Sequence, residues 1–269
     1  MRRSRALNRL WPAVLVAIGL IGAWQLAAST GFLAGALGLD SFLVPSPSEI
    51  ARSLGKDRAL LAENAWVTLE EVLAGFAAAL VLGVATAVAL HLSPLLRRVS
   101  YPLVIASQTI PVIVIAPILV VWFGFGIGPK IAIIALICFF PIAVNTLDGL
   151  ATTPPEQRKL LRSLGAGRLR VLTMLEAPTA LPFAISGAKI AVAVAVIGAV
   201  FGEWAGANEG LGHLMLVDNA QLEVPRLFAA MVWLSAMAIA LFALLSLLER
   251  RIAWWGEPRS AAPSERNPA

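Results

Sequence analysis

Six long apolar runs, separated by short charged clusters, constrain this chain more than any other feature. They lie near 10–29, 67–92, 103–123, 131–150, 183–201 and 227–248. Each approaches the ~20 residues a helix needs to cross the hydrocarbon core of a bilayer. Only a helix satisfies its own backbone donors and acceptors in hydrocarbon, so helices are expected here and not strands. Composition agrees: 14% of residues are charged, against about 25% in soluble domains. The expected fold is all-α, a polytopic membrane protein with six transmembrane helices. Pro111, Pro117 and Pro141 fall inside the third and fourth runs, where a membrane bundle can absorb a kink.

The net charge of +5 raises nucleic acid as a partner. The charges sit between apolar runs and not on one face of a folded domain, which argues against it. With two His and a single Cys, Cys138, inside an apolar run, no His-based metal site and no disulfide framework is expected. The basic tail at 1–9 resembles the start of a signal peptide, but the run at 10–29 exceeds the roughly 7–15 apolar residues of such a leader, so it is read as a retained helix. With a cytoplasmic N-terminus, the inner segments carry fifteen of the 21 Lys and Arg, the outer ones five (Arg52, Lys56, Arg58, Lys130, Arg226), and Lys189 lies within the fifth run. That bias follows the positive-inside rule and puts both termini in the cytoplasm.

The outer segment 30–66 contains Pro45-Ser46-Pro47-Ser48-Glu49-Ile50, an extended stretch with a helix start at Ser48. Ile50, Leu54, Leu60 and Leu61 among charges suggest an amphipathic helix along the membrane surface. Residues 67–250 form the expected core of five helices, and 251–269 a cytoplasmic tail expected to be disordered.

The inner loop at 151–182 is the most informative segment. Thr152-Thr153-Pro154-Pro155-Glu156 is a helix-start pattern with Pro in the first turn and an acid near the positive end of the dipole. Leu160, Leu161 and Leu164 recur at helical spacing, and Gly165-Ala166-Gly167 ends that helix. A second helical stretch from Arg168 to Glu176 is expected to stop at Pro178 and Pro182. The unit is basic on one side and apolar on the other, so its leucines either fold onto the bundle or enter another protein's groove.

Lys159-Leu-Leu-Arg-Ser-Leu-Gly165-Ala-Gly, with Leu175-Glu-Ala-Pro178-Thr-Ala-Leu-Pro182 after it, resembles the EAA loop of ABC-importer permeases. In that pattern Glu-Ala-Ala is followed after three residues by Gly and, nine residues later, by Ile-x-Leu-Pro. Gly165 and Pro178 match; Lys159-Leu160-Leu161 replaces the Glu-Ala-Ala, with Glu156 one turn earlier as a substitute acid. Phe42-Leu-Val-Pro-Ser-Pro-Ser-Glu-Ile50, Ser107-Gln108-Thr109-Ile110-Pro111 and Trp122-Phe123-Gly124-Phe125-Gly126 are similar to nitrate, sulfonate and taurine permeases. Gly202-Glu203-Trp204 with Gly210-Leu211-Gly212 is similar to the branch importing thiamine-precursor pyrimidines.

The resemblance implies a bacterial plasma-membrane permease working as a homodimer, with two ATP-binding subunits and an extracytoplasmic substrate-binding protein. ATP and Mg would belong to the ATP-binding subunits, leaving this chain without cofactor, metal or catalytic residues. Coupling would run through Glu156, Lys159, Leu160, Leu161, Leu164, Gly165, Ala166, Pro178 and Pro182. No Gly-x4-Gly-Lys-Ser/Thr phosphate loop is present in the sequence; Gly124 to Lys130 is read as a tight turn.

Several residues carry two readings. Ser107, Gln108, Thr109 and Asn145 fit interhelical hydrogen bonding or a translocation-path lining. Lys189 fits substrate contact or an inner gate, its long stem reaching the interface. Gly198, Gly202, Gly206 and Gly210 recur every four residues and fit packing within the subunit or a dimer contact. Glu203, Glu209, Asp218 and Glu223 fit a solvated acidic loop or a docking surface for the binding protein. A self-sufficient secondary transporter is the alternative from another class, and it lacks a convincing repeat and sufficient intramembrane charge. For substrate, a thiamine-precursor pyrimidine leads and an alkanesulfonate, taurine or nitrate-type anion follows.

Overall fold

The computed structural model describes residues 2–107 and 111–252, and every regular element among them is helical. In chain order these are α1 (Arg2–Ser29), α2 (Phe32–Leu37), a 3-10 turn (Ser41–Leu43), α3 (Pro47–Lys56), α4 (Arg58–Leu92), α5 (Pro94–Ser107) and α6 (Val112–Phe123). There follow α7 (Ile127–Ala151), α8 (Pro155–Ser163), α9 (Arg168–Val171), a π turn (Leu172–Glu176), α10 (Ala177–Trp204), α11 (Leu211–Gln221) and α12 (Val224–Ile252). Gln108 and Thr109 lie outside the described residues, as does the tail beyond 252.

Four helical segments are long and apolar enough to cross a membrane: Arg58–Leu92, Ile127–Ala151, Arg168–Trp204 and Val224–Ile252. Val14–Ser29 and Val112–Phe123 are apolar but shorter. The third expected span is thus not one helix. α5 ends at Ser107 and α6 begins at Val112, with Pro111 extended at its N-cap (φ −62°, ψ 119°). Proline lacks the N–H that would continue the ladder.

Three further boundaries differ from expectation. The surface helix is capped by Ser46, not Ser48, through a capping box with Glu49. Leu60 and Leu61 belong to α4, which starts at Arg58, well before position 67. Nor does the second helix of the inner loop stop at Pro178 or Pro182: both lie inside α10. The π turn Leu172–Glu176 ends two residues before Pro178, where the missing N–H would break an α ladder.

The chain divides into two compact units. In Glu71–Gly202 with Ala238–Ala269, α7 is the packing axis: Ile133, Ile134, Cys138 and Ile142 are fully buried. Glycines let neighbours approach it. A Cβ on Gly75 of α4 would lie 2.5 Å from Ile134 Cβ, and one on Gly187 of α10 would lie 2.5 Å from the Pro141 carbonyl. Apolar surface remains outward, with Val121, Trp122 and Phe125 each at least 75% exposed, as lipid-facing residues are.

In Met1–Glu70 with Glu203–Met237, Gln25 of α1 holds the start of α3. Its amide donates to Ser48 Oγ at 3.1 Å and its carbonyl accepts the Ser48 N–H at 3.0 Å. The Trp24 and Phe228 rings meet at a tilt of 50°, with centroids 6.5 Å apart.

Candidate functional site: an exposed helical hairpin and the buried polar groups

α8 and α9 form a hairpin turned by Gly165, whose φ of +82° suits a residue without Cβ. Pro154 caps α8 and Pro155 opens it, a first-turn use of proline that sacrifices no hydrogen bond. The hairpin is apolar and unpartnered on its outer side: Leu160, Leu164 and Leu169 are 61%, 75% and 68% exposed. Glu156 and Lys159 are exposed, and Leu161 and Ala166 are half-buried.

The base of the hairpin is held by charge. Arg158 on α8 places Nε 2.7 Å from Glu176 Oε1, and its Nη2 donates to the Leu150 carbonyl at 2.9 Å. His91, at the end of α4, places Nε2 2.9 Å from the other Glu176 oxygen. Glu176 is buried in the π turn. One carboxylate therefore ties α4, α8 and the start of the long helix that follows. None of the three residues was singled out as a site by sequence reading. Their charges fall in segments read as loop or helix end, and their pairing spans 85 positions.

Two more ion pairs cross this unit. Lys189 on α10 donates to Glu249 on α12 at 2.6 Å, and its ammonium lies 5.9 Å from the Phe242 ring centroid. The residue thus contacts a neighbouring helix, which the inner-gate reading had left unspecified. Lys130, expected in an outer loop, sits in the first turn of α7, buried, with Nζ 2.5 Å from Glu71 Oε1 on α4. Asn145 donates to the Pro141 carbonyl at 2.7 Å. Ser107 ends α5.

The glycine strip divides. A Cβ on Gly198 would lie 3.3 Å from Ile134 Cα and one on Gly202 3.2 Å from Lys130 Cα, so these two pack on α7 of the same chain. Gly206 and Gly210 lie in the turn after α10, with φ of +158° and +114°.

In the other unit, the acidic residues expected at a docking surface separate into two classes. Glu209 and Glu223 are exposed. Glu203 and Asp218 are 1% and 0% exposed, so as the chain stands they cannot present carboxylates to a partner. Glu203 accepts from Thr68 Oγ1 at 2.6 Å, from the Gly212 N–H, and from the His213 N–H at 3.1 Å. It caps the first turn of α11, where backbone donors lack helical partners. Thr68 Oγ1 accepts the Leu211 N–H at 2.9 Å, and Asn64 accepts the Gly210 N–H at 2.8 Å. Asp218 pairs with Arg226 Nη2 at 2.6 Å. Burial pushes its carboxyl up, and the Arg226 hydrogen bond pulls it back down. Their place in an acidic stretch had suggested solvation; Glu203 is buried by two backbone N–H groups and the Thr68 hydroxyl, and Asp218 by the Arg226 guanidinium, partners that the acidic pattern does not display.

Among the described residues no group of three His, Cys, Asp or Glu is placed to hold a metal. A family model described as "Binding-protein-dependent transport system inner membrane component" matches residues 79–254. The chain belongs to this family. The permease is 37% identical to a probable ABC transporter permease protein of Haemophilus influenzae, over 91% of this chain and 98% of that one. It is 40% identical to the formylaminopyrimidine transport permease protein ThiX of Halalkalibacterium halodurans, over 80% of this chain and 86% of that one. Identity to the taurine transport system permease protein TauC of Escherichia coli is 28%, over 94% and 96%. A chain of the MetNI methionine ABC transporter, solved in inward-facing conformations, shares the fold, with a TM-score of 0.61 and 22% identity over 74% of this chain and 96% of that one. The permease is therefore an ABC-importer subunit and a multi-pass inner-membrane protein, and its relatives are transport permease subunits.

Proposed function

We propose that this permease forms the translocation path for a formylaminopyrimidine-type thiamine precursor, driven by ATP hydrolysis in a separate subunit. The observation that carries the substrate is the 40% identity to ThiX; similarity to the taurine permease keeps a small sulfonate as the second reading. In this reading α8 and α9 face the cytoplasm, both termini lie on that side, and α1 and the broken helix α5–α6 complete six spans. Two copies enclose the path, and a binding protein delivers solute outside, with Glu209 and Glu223 available to it.

The hairpin is the contact for the ATP-binding subunit. Its exposed leucines enter that subunit's groove. A push on α8 passes through Arg158 to Glu176, and from there to α4 through His91 and into the helix Arg168–Trp204. Lys189 and Glu249 carry the displacement on to α12. Pro178 and Pro182 shape the start of α10, and Ser107, Gln108, Thr109 and Asn145 are assigned to the path.

The test is uptake of labelled formylaminopyrimidine into vesicles containing the permease, its ATP-binding subunit and the loaded binding protein. Uptake requiring ATP and competed by the pyrimidine but not by taurine supports the reading. Competition by taurine alone replaces the substrate, and uptake by the purified permease without ATP or partner removes the mechanism.

A further inference from the structure

A cleft of about 150 Å³ opens at the base of the hairpin, lined by His91, Arg158, Arg162, Arg168, Val171 and Glu176. Three guanidiniums converge on it and one carboxylate answers them. That carboxylate is already engaged: Glu176 lies 2.7 Å from Arg158 and 2.9 Å from His91. Arg162 and Arg168 have no acidic partner among the described residues, and both are exposed. With the arginines at +3 and Glu176 at −1, the cleft keeps two positive charges when His91 is neutral. Like charges are not held together around a cavity without cost, and forked guanidiniums match a carboxylate in two-point geometry.

We propose that this cleft is a socket for one acidic side chain, Asp or Glu, of the ATP-binding subunit. The proposal rests on the docking of the hairpin argued above, and adds to it the polarity of the contact: basic on the permease, acidic on the motor. Arg162 comes from α8 and Arg168 from α9, so an entering carboxylate bridges the two arms across the Gly165 turn. It also lies next to the Arg158–Glu176 pair, the point at which the hairpin meets the helix leading to Trp204. Lys159-Leu160-Leu161, which replaces the acidic start of the resembling loop pattern, leaves this side of the contact without an exposed acid of its own save Glu156. The source is a protein and not a free phosphate because the same hairpin exposes Leu160 and Leu164. These project about 200° around α8 from Arg158 and Arg162 at 100° per residue. The leucines thus lie on the side of the hairpin away from the arginines, and a protein groove that clasps both sides meets leucines on one and the cleft on the other, whereas a free anion leaves the apolar side bare.

The test uses the whole importer, with the cognate ATP-binding subunit co-expressed. Retention of that subunit is measured in detergent and in phosphatidylcholine vesicles with and without phosphatidylglycerol. R162E/R168E is expected to weaken retention by about tenfold or more, the loss of a charge-assisted contact. R162K/R168K, which keeps charge and loses the forks, is expected to weaken it less. One Asp→Arg or Glu→Arg change on the ATP-binding subunit should restore retention to R162E/R168E, which a merely misfolded permease would not allow. The proposal is overturned if no such reversal restores it. It is overturned equally if R162E/R168E retains the subunit normally, or if its defect appears only with phosphatidylglycerol, which would assign the cleft to lipid headgroups. L160D/L164D separates the two levels. If it releases the subunit while R162E/R168E does not, docking stands and the socket falls; if neither releases it, the docking reading itself fails.

Discussion

Removing the Glu203 carboxylate should loosen the turn that follows α10 by an amount that the hydrogen bonds set. Glu203 is 1% exposed and accepts the N–H groups of Gly212 and His213 together with the Thr68 hydroxyl. In Glu203→Ala the two N–H groups lose this acceptor inside the fold, at about 1–3 kcal/mol each, giving about 2–6 kcal/mol in all. The hydroxyl is not added, because the Asn64 carbonyl stands 3.1 Å from Thr68 Oγ1 as a second acceptor. Glu203→Gln is a milder change. Its carbonyl oxygen can keep both N–H groups while its amide donates to Thr68 Oγ1, so only charge assistance disappears, about 1–2 kcal/mol. Hydrogen–deuterium exchange of the peptide covering 205–215, in solubilised permease, reads this directly. At 1.4 kcal/mol per tenfold, a loss of about 2 kcal/mol speeds exchange at Gly212 and His213 roughly 30-fold. Unchanged protection in Glu203→Ala would refute the reasoning, as would a Gln variant as damaged as the Ala variant.

Glu176→Gln keeps the shape of the side chain and removes its charge from Arg158 and His91. It is expected to cost roughly 1–3 kcal/mol and to lower transport-coupled ATP hydrolysis several-fold with insertion intact; coupled rates equal to wild type would exclude Glu176 as the transmission point. Gly187→Ala would place a Cβ 2.5 Å from the Pro141 carbonyl, forcing α10 from α7 at a cost of about 1–3 kcal/mol, visible as a lower melting temperature in detergent. Glu49 should give α3 an acid-sensitive cap. The Ser46 N–H and hydroxyl hold its carboxyl below the usual glutamate value. The capping contribution is therefore complete above about pH 4.3 and fades as pH falls through the lowered folded value; in Ser46→Ala the backbone N–H bond to Glu49 remains and the hydroxyl's bond is lost, so the amide protection of α3 should keep a weaker pH dependence. Lys189→Ala should change the transport rate without changing which solute is carried, and an altered substrate preference would move Lys189 into the path.

Much of the architecture was legible in the residues. The run at 131–150 lies within α7, and Gly165 turns the hairpin as its sequence context implied. Errors clustered at prolines and at charges. Pro111 coincides with a break between helices, while Pro178 and Pro182 stay inside one; proline removes the same N–H in each case, and the surrounding packing decides whether a π turn absorbs the loss. Lys130 reads as a loop cation because it follows Gly-Pro, yet it enters the first turn of α7 and meets Glu71.

Hydropathy is a property of consecutive residues, so the chain's sequence alone determined that this is an α-helical protein made for lipid, with one amphipathic hairpin between its apolar segments. Partner choice is a property of residues far apart. Glu71 finds Lys130 across 59 positions, His91 finds Glu176 across 85, and Thr68 finds Glu203 across 135. Those pairings, and the burial of Glu203 against backbone N–H groups and of Asp218 against Arg226, exist only once the helices are packed, because a buried charge is tolerated only where the fold delivers its counter-charge or its N–H groups.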